Sequence, residues 1–167
     1  MQASEQFLSV LSDFSRAVGL PQSADAQGIE FAAGDFTVVV FPHPGQPEAL
    51  VAEVVVAALD PGSQTTHALL RALHLINESA RFEHDWLIAL SPDDAILMYT
   101  IRGVAQTNAG ELEALLCEGI ERAEALREVI AGLISGAQSD SQSAPVERVS
   151  DEGRVVAGGL GAGMLRA

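Results

Sequence analysis

The chain opens on an amphipathic pattern. Phe7, Leu11, Phe14 and Val18 recur at spacings of 4, 3 and 4, which puts them on one stripe of a helix over residues 4–18. Leu8 and Val10 widen the stripe, Ser4 can cap its start, and Gly19 and Pro21 are expected to stop it. Three strand-like runs follow. Residues 28–32 carry Ile29 and Phe31. Residues 36–41 are β-branched and aromatic, and Gly34-Asp35 before them reads as a tight turn. Pro42, Pro44 and Pro47 interrupt regular structure until about Glu48. Residues 50–59 form the third run, closed by Asp60-Pro61-Gly62. Short links between these runs predict an antiparallel meander.

The helical period returns over residues 65–80, where Leu69, Leu73, Ile76 and Ala80 form a stripe with Leu70 beside it. Two further strands, 86–90 and 95–104, are joined by the turn-forming Ser91-Pro92-Asp93-Asp94. Asn108 and Glu111 have the spacing of a capping box. Behind them Leu112, Leu116, Gly119, Ala123, Leu126, Ile130 and Leu133 alternate steps of 4 and 3, with Gly136 as the expected stop. The order α-β-β-β-α-β-β-α predicts an α+β fold, three helices packed on an antiparallel sheet. There is no internal repeat.

Composition changes at Gly136. Residues 136–167 hold 6 of the 15 glycines and none of the Phe, Trp or Tyr. They read as a Gly/Ser-rich tail with little apolar surface to offset ordering entropy, and are expected to be disordered. The folded domain is therefore expected over residues 1–135. It carries nearly all the excess charge: 6 Arg against 19 acids, or -13, of a total of -14. Yet 48% of the 167 residues are apolar, too many for an acidic disordered chain.

Several function classes are excluded. An acidic field repels phosphate backbones, which argues against nucleic acid as a partner. All nine basic residues are arginine, so there is no Walker, Schiff-base or Ser-x-x-Lys lysine. The single cysteine, Cys117, cannot form an internal disulfide. The N-terminus lacks the marks of a secretory signal, and no apolar run reaches the roughly 20 residues of a membrane span. A soluble cytoplasmic protein, without membrane insertion, is expected.

Catalytic signals are weak. His67 and His74 lie seven apart on one helix, where paired zinc ligands sit four apart. They read as helix-surface or dimer-facing. Cys117, next to Leu116, reads as a buried or half-buried structural residue with acidic Glu118 beside it. Asp85, Asp93 and Asp94 could supply paired carboxylates, but two acids in a hairpin turn are ordinary turn formers. The glycines at 158, 159, 161 and 163 miss the Gly-x-Gly-x-x-Gly spacing. No catalytic, cofactor or metal site is assigned, and the chain is read as a non-enzyme. What remains unaccounted for is apolar surface, which marks interfaces.

Three stretches carry a likeness. They are Phe7-Leu8-x-x-Leu11-x-x-Phe14 ending in Val18-Gly19-Leu20, then Leu69-Leu70-Arg71-Ala72-Leu73-x-x-Ile76-Asn77, then the hairpin of 86–90 and 96–101 feeding the helix 111–133. With the element order, size and acidity, they make residues 4–135 resemble the class I type III secretion chaperones, the Tir-chaperone (CesT-type) family. The resemblance implies a homodimer without cofactor or catalysis. It implies binding of the N-terminal segment of one or more secreted effectors, held non-globular, and delivery to the secretion machine, whose ATPase is a further candidate partner. Strand addition at a sheet edge and side chains in apolar grooves would supply the contacts.

Ile29 and Phe31 lie on a short first strand suited to accept a client strand. Phe7, Leu8 and Leu11, with Val38 and Val40, are candidates for an adjoining client groove, or else ordinary core. Leu69, Leu73, Ile76, Trp86 and Ile88 are the candidate dimer interface by family likeness. Two other readings compete: a non-secretory binding or regulatory module of the same fold, and a small α+β enzyme using Asp85, Asp93 or a histidine.

Overall fold

The computed structural model describes residues 3–20, 27–63, 65–80 and 85–142. Helix α1 spans Glu5–Val18. The Ser4 hydroxyl accepts from the Phe7 amide at 3.2 Å, satisfying one of the unpaired donors of the first turn. Gly19 ends the helix in a left-handed conformation with φ 72°, and Leu20 donates back to the Ser15 carbonyl at 2.9 Å. Phe7, Val10, Leu11 and Phe14 are buried, each contributing roughly 1.5–3 kcal/mol of apolar transfer.

Strands β1 (Ile29–Ala33), β2 (Phe36–Pro42) and β3 (Ala49–Ala58) form the meander. Gly34 takes φ 59° in the two-residue β1–β2 turn. Gly28, entering β1, is restricted more severely. A Cβ there would collide with the Val40 carbonyl oxygen and stand 2.9 Å from the Phe41 Cα. Between β2 and β3 the proline stretch is a short loop tied by His43 N–H to Ala49 O at 2.9 Å.

Helix α2 (Thr66–Ala80) leads to β4 (Leu87–Leu90) and β5 (Ala95–Gly103). All five strands join one antiparallel sheet in the order β1-β2-β3-β5-β4. The second hairpin is thus inserted so that β5 pairs β3 and leaves β4 at the edge. Asn77 of α2 finishes that edge: its amide donates to Ile88 O at 3.0 Å and accepts from Ile88 N at 2.9 Å. This mimics a strand neighbour and blunts pairing with another chain.

A bulge interrupts the β3–β5 register between Val55 and Ala57, leaving Val56 without a strand partner. Its carbonyl accepts from Arg127 Nε at 3.1 Å. The Arg127 guanidinium also donates to Asp35 O at 3.3 Å and lies 3.9 Å from the centroid of the Phe36 ring. One arginine therefore joins the last helix to a strand bulge and a hairpin turn.

A single turn of 3₁₀ helix (Val104–Gln106) precedes α3 (Ala109–Gln142). The capping box is formed: Asn108 N donates to Glu111 Oε2 at 2.7 Å, and Glu111 N to Asn108 Oδ1 at 3.0 Å. Gly136 does not stop the helix. It shows no left-handed φ, and α3 runs through it to Gln142, because a glycine inside a helix costs only about 1 kcal/mol against alanine. The expected tail from 143 onward lies outside the described residues, as do Pro21 and His84.

The core occupies one face of the sheet. Ile29, Phe36, Val38, Val40, Leu50, Ala52, Val54, Val56, Ile96 and Met98 join Phe7, Leu11 and Phe14 of α1, Leu69 and Leu73 of α2, and the α3 stripe in one cluster. Trp86 is 1% exposed, its ring lying against Gly119, where α3 carries no side chain.

Candidate functional site

The apolar residues proposed for a client groove divide in two. Phe7, Leu11, Val38 and Val40 have no exposure and Ile29 has 6%. Antiparallel pairing of Ile29 with Val40 and of Phe31 with Val38 turns these side chains to the face that α1 covers. All five belong to the protomer's core, which for Phe7, Leu11, Val38 and Val40 is the alternative the sequence left open. Leu8 and Phe31 are only partly buried against that core, and the Phe31 ring meets Phe14 with centroids 5.9 Å apart. What β1 offers is its backbone. It is an edge strand, no described strand pairs its outer side, and Glu30 and Ala32 are exposed.

The dimer candidates divide similarly. Leu69, Leu73 and Trp86 are 5%, 4% and 1% exposed within the single protomer. Ile76 and Ile88 are half-buried and line a groove of about 290 Å³ between α2 and α3, floored by Met98 and walled by Ala125, Leu126 and Val129. Its one charged lining residue, Arg122, is paired with Glu118 at 2.8 Å. Val129, 45% exposed, and Met98 were not among the interface candidates. Val129 stands three residues past Leu126, at the margin of the α3 stripe, and that spacing is the signal that could have found it.

The sheet has a second apolar face. The sheet face opposite the helices carries Val39, Phe41, Val51, Val55, Leu97 and Tyr99, and none of them belongs to the core cluster. Glu53 sits among them, paired in register with Val39 and Tyr99, and burial holds its carboxyl above the usual carboxylate range. The runs 36–41 and 50–59 are apolar at nearly every position rather than alternating, a pattern of strands covered on both faces.

The catalytic alternatives are not assembled. Asp85 is ion-paired with Arg102, near the end of β5, whereas Asp93 and Asp94 precede its start, about seven residues or ~23 Å away along the strand. Asp94 takes φ 56° in a turn whose Ser91 Oγ accepts from the Asp93 and Ala95 amides. His67 and His74 are exposed on α2. Cys117 is exposed rather than buried, because it stands one position, about 100° of helix, past buried Leu116. Among the described residues no group of three or more His, Cys, Asp or Glu is placed to hold a metal ion, and no helix is long and apolar enough to cross a membrane.

Comparison with known proteins matches this architecture. The sequence profile of the Tir chaperone protein (CesT) family fits residues 9–127, from within α1 to Arg127 of α3. No curated protein sequence matches. Among solved structures, the ExsC–ExsE complex aligns with a TM-score of 0.62 at 22% identity, covering 78% of this chain and 97% of that one. The HopA1–SchA chaperone–effector complex aligns at 0.59 and 15%, covering 74% and 94%. The Yersinia pestis type III secretion chaperone SycH, in complex with a stable fragment of YscM2, aligns at 0.51 and 19%, covering 72% and 98%. At these identities the structural likeness establishes the fold.

Proposed function

The chain belongs to the Tir chaperone protein (CesT) family, and from that premise we propose that it is a type III secretion chaperone. It binds the N-terminal segment of one or more effector proteins as a homodimer in the bacterial cytoplasm, keeps that segment non-globular, and aids its delivery to the secretion apparatus and its ATPase. The observation that carries this reading is the family match across residues 9–127, continuous through all five strands.

The β1 edge and the α2–α3 groove then each have a task. The open backbone of β1 accepts a client strand, with Leu8 and Phe31 beside it as apolar anchors. The α2–α3 groove of Ile76, Ile88 and Val129, continuous with the α2 and β4 edge, meets the second copy. The -13 charge of residues 1–135 favours a neutral or basic client segment and opposes aggregation of a protomer that exposes apolar surface. As a non-enzyme the protein works by binding alone.

The test is a pull-down from the native host with identification of bound proteins by mass spectrometry, beside deletion of the gene. A secreted protein should be captured through its N-terminal region and be lost from the secreted fraction in the deletion strain. Unchanged secretion of every exported protein would refute the reading.

A further inference from the structure

We propose that residues 153–167 of the chain are a built-in client mimic that occupies the β1 edge while no effector is bound. Composition supplies the first observation. This segment holds Arg154 and Arg166, no acid, and apolar Val155, Val156, Leu160, Met164 and Leu165, a net +2 against the -13 of residues 1–135. It has the chemistry that the acidic body selects in a client.

The receiving surface supplies the second. Where α3 passes the β1–β2 turn, a cleft of about 540 Å³ is lined by the Asp35, Glu124 and Glu128 carboxylates with Ala33, Phe36 and Ala131. The only cation there, Arg127, is already engaged by the Phe36 ring and by the carbonyls of Val56 and Asp35. An arginine of the segment can enter this cleft. Its neighbours Val155 and Val156, the most strand-forming pair in the segment, then run antiparallel along β1, which ends at the same turn.

Chain length permits the return. From Ala131 to the end of α3 at Gln142 is about 16 Å at ~1.5 Å per residue, and β1 adds about 17 Å at ~3.3 Å per residue. Residues 143–152 reach about 33–36 Å when extended. A tether of that length holds the segment at about millimolar effective concentration, so even a weak intrachain contact would lower apparent client affinity about 2–10-fold.

The proposal rests on β1 being the client's edge, but its test needs no client, so the two can fail separately. A spin label is attached at Ala157→Cys in the full chain carrying Cys117→Ser, and backbone amide signals are recorded. The expected result is loss of the signals of β1 and of residues 124–131 while those of β4 persist, with recovery in Arg154→Glu/Arg166→Glu and at high salt. Uniform loss, loss centred on Ile76, Ile88 and Val129, or loss arising only from a differently labelled second copy would overturn it.

Discussion

Gly119 is the point at which the fold's largest buried side chain meets its longest helix. Replacing it by alanine places a methyl 2.5 Å from Trp86 Cζ2 and 3.1 Å from Cε2, with Cη2 closer still. Real Cβ atoms essentially never come within 3.0 Å of a non-bonded heavy atom from elsewhere in the fold. Two effects oppose each other. Alanine in place of glycine inside a helix gains about 1 kcal/mol, whereas overpacking a tight site costs about 1–3 kcal/mol. Gly132, in the same helix, has nothing within 4 Å of its virtual Cβ and isolates the first effect. Gly132→Ala should therefore stabilise by up to about 1 kcal/mol. Gly119→Ala should fall about 1–3 kcal/mol below it, the whole difference being the packing cost. Urea unfolding at one fixed protein concentration, followed by the fluorescence of the single tryptophan, measures both. Equal stabilisation by the two substitutions would refute the packing of Trp86 on α3.

Three further outcomes follow from the fold. Asn77→Ala should cost about 1–3 kcal/mol, since Ile88 loses both edge partners, and the Ile88 amide should exchange faster by hydrogen-exchange NMR. Arg127→Ala should cost about 2–3 kcal/mol through its two carbonyl bonds and the Phe36 ring contact, and Arg127→Lys, lacking the planar fork, should recover less than half. Burial raises the Glu53 carboxyl in the folded state, so the native state holds its proton more tightly and stability falls as pH rises from the unfolded glutamate value through the raised one. Glu53→Gln should accordingly stabilise the protein at pH 7 and lose that advantage near pH 4, as read by thermal unfolding at the two pH values.

Local features of the fold were legible in the sequence because their causes are local. Ser4 and Gly19 bound α1, and Asn108 and Glu111 start α3, through side chains and dihedrals within a few residues of one another. Gly136 misled because a glycine ends a helix by adopting a left-handed φ, a choice its residue type permits but does not impose. Insertion of β5 beside β3 was not legible, since pairing of Ala52 with Thr100 depends on distant partners. The site was less legible still. Phe7, Leu11, Val38 and Val40 have the pattern of an apolar stripe whether a partner or the protein's own core covers it, and here they are buried together with residues of α3 in one core. Asn77 entered only as part of a family likeness, and its bond to the β4 edge needed coordinates.

The central claim is that this chain dimerises and holds an effector's N-terminal segment. Light scattering of the chain co-expressed with the N-terminal segment of an effector captured from its host tests this most directly. The expected species contains two copies of the chain, about 35 kDa from twice 17.5 kDa, plus one effector segment. A 17.5 kDa monomer eluting apart from the segment would contradict the account.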